Sequence, residues 1–189
     1  MTRADLVKYV KRYAFDRTDL DDMMGVYISL AEAEMRTGAS VGQPLRLSAY
    51  KARVELIPAD GVAPLPNDYE AIIRASDGSC SLYYRTPETD HRTKYEYTVI
   101  GSEIHTSAGK VVLDYYKEFE PLVAETDTNV ILTKYLPIYL HGVLHQLYMN
   151  IDEQQNSASH LAKFDMAIRS ANAAENASQI PLEGMSIPL

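Results

Sequence analysis

The chain has 189 residues, 46% hydrophobic and 23% charged, which suits one soluble globular domain or two small lobes sharing a core. Cys80 is the single cysteine, so an intrachain disulfide scaffold and a cysteine-based zinc site are both excluded. With 18 Lys+Arg against 26 Asp+Glu the formal net charge is −8, opposite in sign to the footprint of most nucleic-acid binders. The longest apolar runs, such as 130–132 and 135–140, fall far short of the roughly 20 residues that cross a bilayer, so no membrane partner is expected. Residues 1–5 carry charges of both signs with no apolar stretch behind them, which argues against a secretory signal. Among the aromatics 14 are tyrosine, 3 are phenylalanine and none is tryptophan, a bias that suits subunit interfaces because each ring buries area while its hydroxyl keeps a partner.

The first part of the chain reads as two helices. Thr2 followed by Asp5 resembles a capping box, and Leu6, Val10 and Tyr13 then share one face of a helix expected to run to about Phe15. Thr18 with Asp21 repeats the arrangement, and Asp19, Asp21 and Asp22 lie where carboxylates stabilise a helix start. Met23, Tyr27, Leu30, Ala31, Glu34 and Met35 trace one side of the second helix, with Gly38 as its expected C-cap.

From about Leu45 to Tyr116 the period changes to two. Tyr50, Ala52, Val54 and Leu56 alternate with charged residues, as in a half-buried strand that Pro58 closes. Residues 60–66 are expected to be loop and 69–75 a strand. Asp77-Gly78 is a turn signal before a strand at 80–85. Strands at 94–100, 103–106 and 110–116 follow, joined by tight turns, which predicts an antiparallel meander. Helical periodicity returns from about Asn129. Leu136, Leu140, Val143, Leu144 and Leu147 form one stripe, with Pro137 tolerated in the first turn, and Leu161, Phe164, Ile168 and Ala171 form another. Residues 178–189 contain Pro181, Gly184 and Pro188 and are not helical. They nevertheless carry Ile180, Leu182, Met185, Ile187 and Leu189, more apolar bulk than a free terminus usually holds.

The expected architecture is therefore α+β: a four-helix bundle with an inserted antiparallel β meander and an extended C-terminal arm. Residues 1–177 are read as a single domain, with helices within 2–38 and 129–177 and the β region at 45–116, followed by the arm at 178–189.

Catalytic chemistry finds little support. His141 and His145 stand at zinc-ligand spacing on one helix face, but His141-Gly142-Val143-Leu144-His145 lacks the glutamate of the zinc hydrolase motif, and no third ligand is evident. No nucleophile elbow, dinucleotide fingerprint or phosphate loop occurs. Glu32 and Glu34, two apart on a helix, point about 200° away from each other and do not share a site. No catalytic residue, metal or cofactor is expected. The alternative left open is a small metal-dependent hydrolase or ligand-binding module using His141 and His145.

Five segments, taken in order, are similar to a known family. They are Ile28-Ser29-Leu30-Ala31-Glu32-Ala33-Glu34-Met35-Arg36, Leu65-Pro66-Asn67-Asp68-Tyr69, Tyr97-Thr98-Val99-Ile100-Gly101, Val111-Val112-Leu113-Asp114-Tyr115-Tyr116-Lys117, and residues 129–142 with Tyr135-Leu136-Pro137 and Leu140-His141-Gly142. Their order and separations over roughly residues 20–165 resemble the head-to-tail adaptor (connector) proteins of tailed bacteriophages, in particular the tail tubular protein A type of short-tailed phages. The family's arginine pair after the acidic helix is here Arg36 followed by Thr37-Gly38.

The resemblance implies a structural virion protein at the head-tail junction, assembled in the host cytoplasm. It would form a ring of twelve copies that binds the portal, carries the tail tube or nozzle, and lets genomic DNA pass during ejection without sequence-specific binding. The C-terminal arm, with Ile180, Pro181, Leu182, Met185, Ile187, Pro188 and Leu189, would reach the portal. A closed ring needs two different complementary patches per subunit, and Tyr95, Tyr97, Tyr115 and Tyr116 are the expected contributors.

Overall fold

The computed structural model describes residues 1–14, 21–87 and 93–178. The expected cap residues Thr18 and Asp19, the helix end at Phe15 and the arm beyond Ser178 lie outside them. The chain divides into a helical unit, Met1–Ser48 with Glu120–Leu189, and a β unit, Ala49–Phe119.

In the helical unit α1 spans Arg3–Tyr13. Its capping box is complete: the Asp5 amide donates to Thr2 Oγ1, and the Thr2 amide donates to Asp5 Oδ2 at 3.0 Å. A 3₁₀ turn, Asp21–Met23, leads into α2, Met24–Thr37, which starts without a side-chain cap. Gly38 ends α2 at φ +65°, and a Cβ there would stand 2.2 Å from the Gln43 carbonyl carbon, so only glycine fits.

The helical run expected from Asn129 is two helices, α3 at Val130–Lys134 and α4 at Leu136–Asn150. Pro137 has no amide proton and crowds the carbonyl four residues back, so α3 stops at Tyr135 and Pro137 opens α4 instead. α4 is apolar nearly all round and buries residues on every side, from Ile138 to Tyr148, as a central helix does. It packs against α1, α2, α3 and α5, the last spanning Gln154–Ser178. Leu6 and Val10 of α1, Tyr27, Ile28, Ala31 and Met35 of α2, and Phe164 and Ile168 of α5 complete this core.

The β unit is a curled seven-stranded sheet in the order β1-β7-β3-β4-β5-β6-β2. The strands are β1 Lys51–Leu56, β2 Val62–Pro64, β3 Tyr69–Ser76, β4 Ser81–Tyr84, β5 Glu96–Ile100, β6 Glu103–Thr106 and β7 Val111–Lys117. This corrects the expected antiparallel meander. Among the described strands β3–β4 and β5–β6 are the antiparallel pairs of chain neighbours, while the consecutive strands β4 and β5 pair in parallel. A parallel pair needs a connection longer than a hairpin turn, and the sequence between Tyr84 and Glu96 is long enough for one. The loop expected at 60–66 contains the short edge strand β2. Asp60 and Gly61, both at positive φ, turn the chain into it, and Pro64, which cannot donate to a ladder, sits on the sheet's outer strand. Val111, Leu113 and Tyr115 of β7 face one way into the sheet's core with Ala75, Leu82, Tyr97 and Ile104.

Candidate functional site

The five segments that carried the resemblance are tied together in two clusters. In the helical unit α2 buries Glu32, whose Oε1 accepts from the Tyr139 hydroxyl at 2.8 Å and from the Leu122 amide at 2.9 Å. The Asn129 amide group donates to the Tyr139 oxygen and to the Glu120 carbonyl, both at 2.8 Å, while its own oxygen caps α3 by accepting from the Leu132 amide. One carboxylate thus joins the first segment to the last and seats the strap 120–129 against the helices. Glu34, by contrast, is turned outward and accepts from the amide and hydroxyl of Ser40 at 2.9 Å each, so the two glutamates do point apart as their spacing requires. In the sequence Glu32 is marked only by sharing a helix face with Ile28, Ala31 and Met35, which α2 buries.

In the β unit the second and fourth segments meet. Pro66 introduces β3 through a turn in which the Tyr69 amide donates to the Pro66 carbonyl. Asp68 then accepts from the Tyr115 hydroxyl at 3.0 Å, and the Tyr69 and Tyr115 rings pack at 6.3 Å. Burial comes first and this bond second in raising the Tyr115 hydroxyl's pKa. Tyr97, from the third segment, lies in the same core and meets the Tyr84 ring edge-on at 5.8 Å. At the start of β5 the buried Glu96 accepts from the Thr93 amide and from Arg85 Nε at 2.9 Å. These contacts hold its carboxyl below the usual range, the Thr93 amide contributing most.

α5 pins the segment between α2 and β1. Arg169 donates to the Val41 carbonyl, Asn172 bridges the Pro44 carbonyl and the Arg46 amide, and Glu175 accepts from Ser48 and, at 2.7 Å, from the Tyr135 hydroxyl. These donors, Ser48 foremost, depress the Glu175 carboxyl's pKa.

The histidines do not form the pair that their spacing suggested. His145 Nδ1 lies 2.9 Å from Ser157 Oγ, buried between α4 and α5. His141 Nδ1 faces His160 Nδ1 at 3.1 Å, and the His160 ring stacks on Tyr148. Burial, then the charge of Lys163, hold His141 below its ordinary value. Burial, His141, Lys163 and His145, in that order, push His160 down to about 4. Among the described residues no group of three or more His, Cys, Asp or Glu is placed to hold a metal.

Of the four tyrosines expected at subunit contacts, Tyr97 and Tyr115 are buried within the sheet's own core. Tyr95 is exposed with Lys94 Nζ 4.8 Å over its ring, and Tyr116 is half-buried with Lys51 Nζ 5.8 Å over its ring. Ile180, Pro181, Leu182, Met185, Ile187, Pro188 and Leu189 lie outside the described residues. Among those described, no helix is long and apolar enough to cross a membrane.

The family to which this mixed α+β chain is related gives its class: a phage head-to-tail adaptor, a component of the virion. The chain belongs to the SU10 adaptor protein family, whose description matches residues 1–182. None of the curated protein sequences matches the chain. Membership implies a structural rather than a catalytic role, assembly into oligomers, and interaction with portal and tail proteins.

Proposed function

We propose that the chain is a subunit of an adaptor ring of the tail tubular protein A type, twelve copies seated beneath the portal at the head-tail junction. α1, α2, α4 and α5 act as the bundle of each subunit, and the ring carries the tail tube or nozzle on its other side. It keeps a DNA-sized channel open through which the genome leaves, and a net charge of −8 per copy keeps phosphates from adhering to the wall. The arm 178–189 reaches the portal as an extended segment, its prolines limiting the entropy lost on docking. The observation that carries this reading is the family match over 1–182, which spans both units.

The test is electron microscopy of the protein mixed with a candidate portal, together with binding measurements on a chain lacking 180–189. A ring on the portal is expected, and the deletion should weaken binding at least tenfold, about 1.4 kcal/mol, with helical content unchanged. Portal particles that remain bare would overturn the assignment.

A further inference from the structure

A groove of about 470 Å³ runs between the first turns of α4 and the second half of α5. Pro137, Ile138, Met166, Ala167, Ala171 and Ala174 make its wall mostly apolar, and Lys134 and Lys163 contribute charge to its lining. Met166 is 65% exposed there, a large apolar side chain left in water. The volume lies within the roughly 300–1,000 Å³ of ordinary ligand pockets; of its other polar lining residues, Tyr135 already donates its hydroxyl to Glu175 and His141 Nδ1 faces His160, and Ser170 completes the wall. Its small-residue floor and open top suit an extended peptide with apolar side chains.

We propose that this groove receives residues 179–189 of the same chain before assembly; the inference rests on the portal-binding reading of that arm. Three observations select this occupant. Ala174 lies one turn before the end of α5 at Ser178, so the arm begins beside the groove. The groove extends along α5 from Ala174 back to Lys163, about 17 Å at 1.5 Å per residue, and the arm's 11 residues reach about 36 Å when extended at about 3.3 Å each. It is long enough to reverse direction and still cover the groove. The arm's apolar side chains, Ile180, Leu182, Met185, Ile187 and Leu189, match the wall, and its one charged residue, Glu183, is opposite in sign to Lys134 and Lys163. Attachment to the same chain gives the arm an effective concentration in the millimolar range, so weak contacts suffice. Docking there keeps an apolar segment from joining wrong partners until the portal competes for it.

The experiment uses the full-length chain and a protease that cuts after glutamate, with cleavage after Glu183 followed by mass spectrometry. Slow cleavage is expected in the native chain, and at least tenfold faster cleavage in the Met166→Glu/Ala174→Glu double variant. Both positions are exposed, so its circular dichroism and melting temperature should match the native chain. A second full-length chain, Cys80→Ser with Met166→Cys and Leu182→Cys, should close an intramolecular disulfide on mild oxidation and remain a monomer. Equal cleavage rates in the two chains, or a disulfide that forms only between copies, would overturn the proposal. Portal affinity is read separately: if deleting 180–189 abolishes it while cleavage is equally fast in native and variant chains, the portal reading stands and the groove proposal falls.

Discussion

Tyr139 donates its hydroxyl proton to Glu32 at 2.8 Å, and both side chains are buried, 107 residues apart in sequence. The same carboxylate oxygen accepts from the Leu122 amide, so one group from α2 holds a side chain of α4 and the backbone of the strap 120–129. Removing the acceptor takes the shared carboxylate from two buried donors, whereas removing the hydroxyl leaves Glu32 with the Leu122 amide. Glu32→Ala should therefore cost about 3 kcal/mol and Tyr139→Phe about 1–2 kcal/mol. Urea denaturation of both variants checks the order; a Tyr139→Phe protein more destabilised than Glu32→Ala would refute it.

Gly142 stands where α2 and α5 both close on α4. An added Cβ would meet Phe164 Cε2 at 3.0 Å and Ala31 Cβ at 3.1 Å. Helix propensity favours Ala over Gly by about 1 kcal/mol, but overpacking a dense core costs about 1–3 kcal/mol. Gly142→Ala should lower the melting temperature. A rise would mean that the Phe164 ring gives way at little cost.

Burial of His160, with His141 beside it, makes the helical unit sensitive to acid. His160 in the folded chain titrates at about 4, below the roughly 6.5 of an unfolded histidine. Between those values the unfolded chain binds more protons, so stability is fully present above about pH 6.5 and is lost as pH falls toward 4. His141, also lowered, acts in the same direction. Glu96, Asp114 and Glu175 are depressed too, and their contribution is lost as pH falls through their own ranges. The difference between native and His160→Gln proteins isolates the histidine. Denaturation midpoints at pH 7 and pH 5 should differ less in the variant; an identical pH dependence would remove His160 from the account.

Tyr95 and Tyr116 are the tyrosines on which a subunit contact can be tested without opening the core. Tyr95→Ser with Tyr116→Ser should leave the melting temperature within a few degrees of native and weaken ring formation on the portal. Tyr115→Ser, which removes a ring packed against Tyr69 and the bond to Asp68, should destabilise the β unit by about 3 kcal/mol. Analytical ultracentrifugation alongside thermal melts separates the two effects. Intact rings in a folded Tyr95/Tyr116 double variant would take those residues out of the interface.

The features legible in the sequence are those whose partners lie within a few residues. The Thr2–Asp5 box, the Gly38 cap, Pro137 at a helix start and the alternation of Val111, Leu113 and Tyr115 each follow from local sterics or a repeat of side-chain direction. Leu65-Pro66-Asn67-Asp68-Tyr69 announced a strand entry for the same reason, since proline restricts the residue before it. Tertiary structure alone decided what depends on distant partners. Whether Glu32 is a surface charge or a buried anchor turns on Leu122 and Tyr139 arriving beside it, and the same helical pattern accommodates either. His141 chose His160 over His145 because α5 brings a ring within 3.1 Å, whereas His145 turns to Ser157. The parallel pairing of β4 with β5 was hidden because a strand's own residues record which face is buried, while neighbour and direction are set by the connection and by which edge is free.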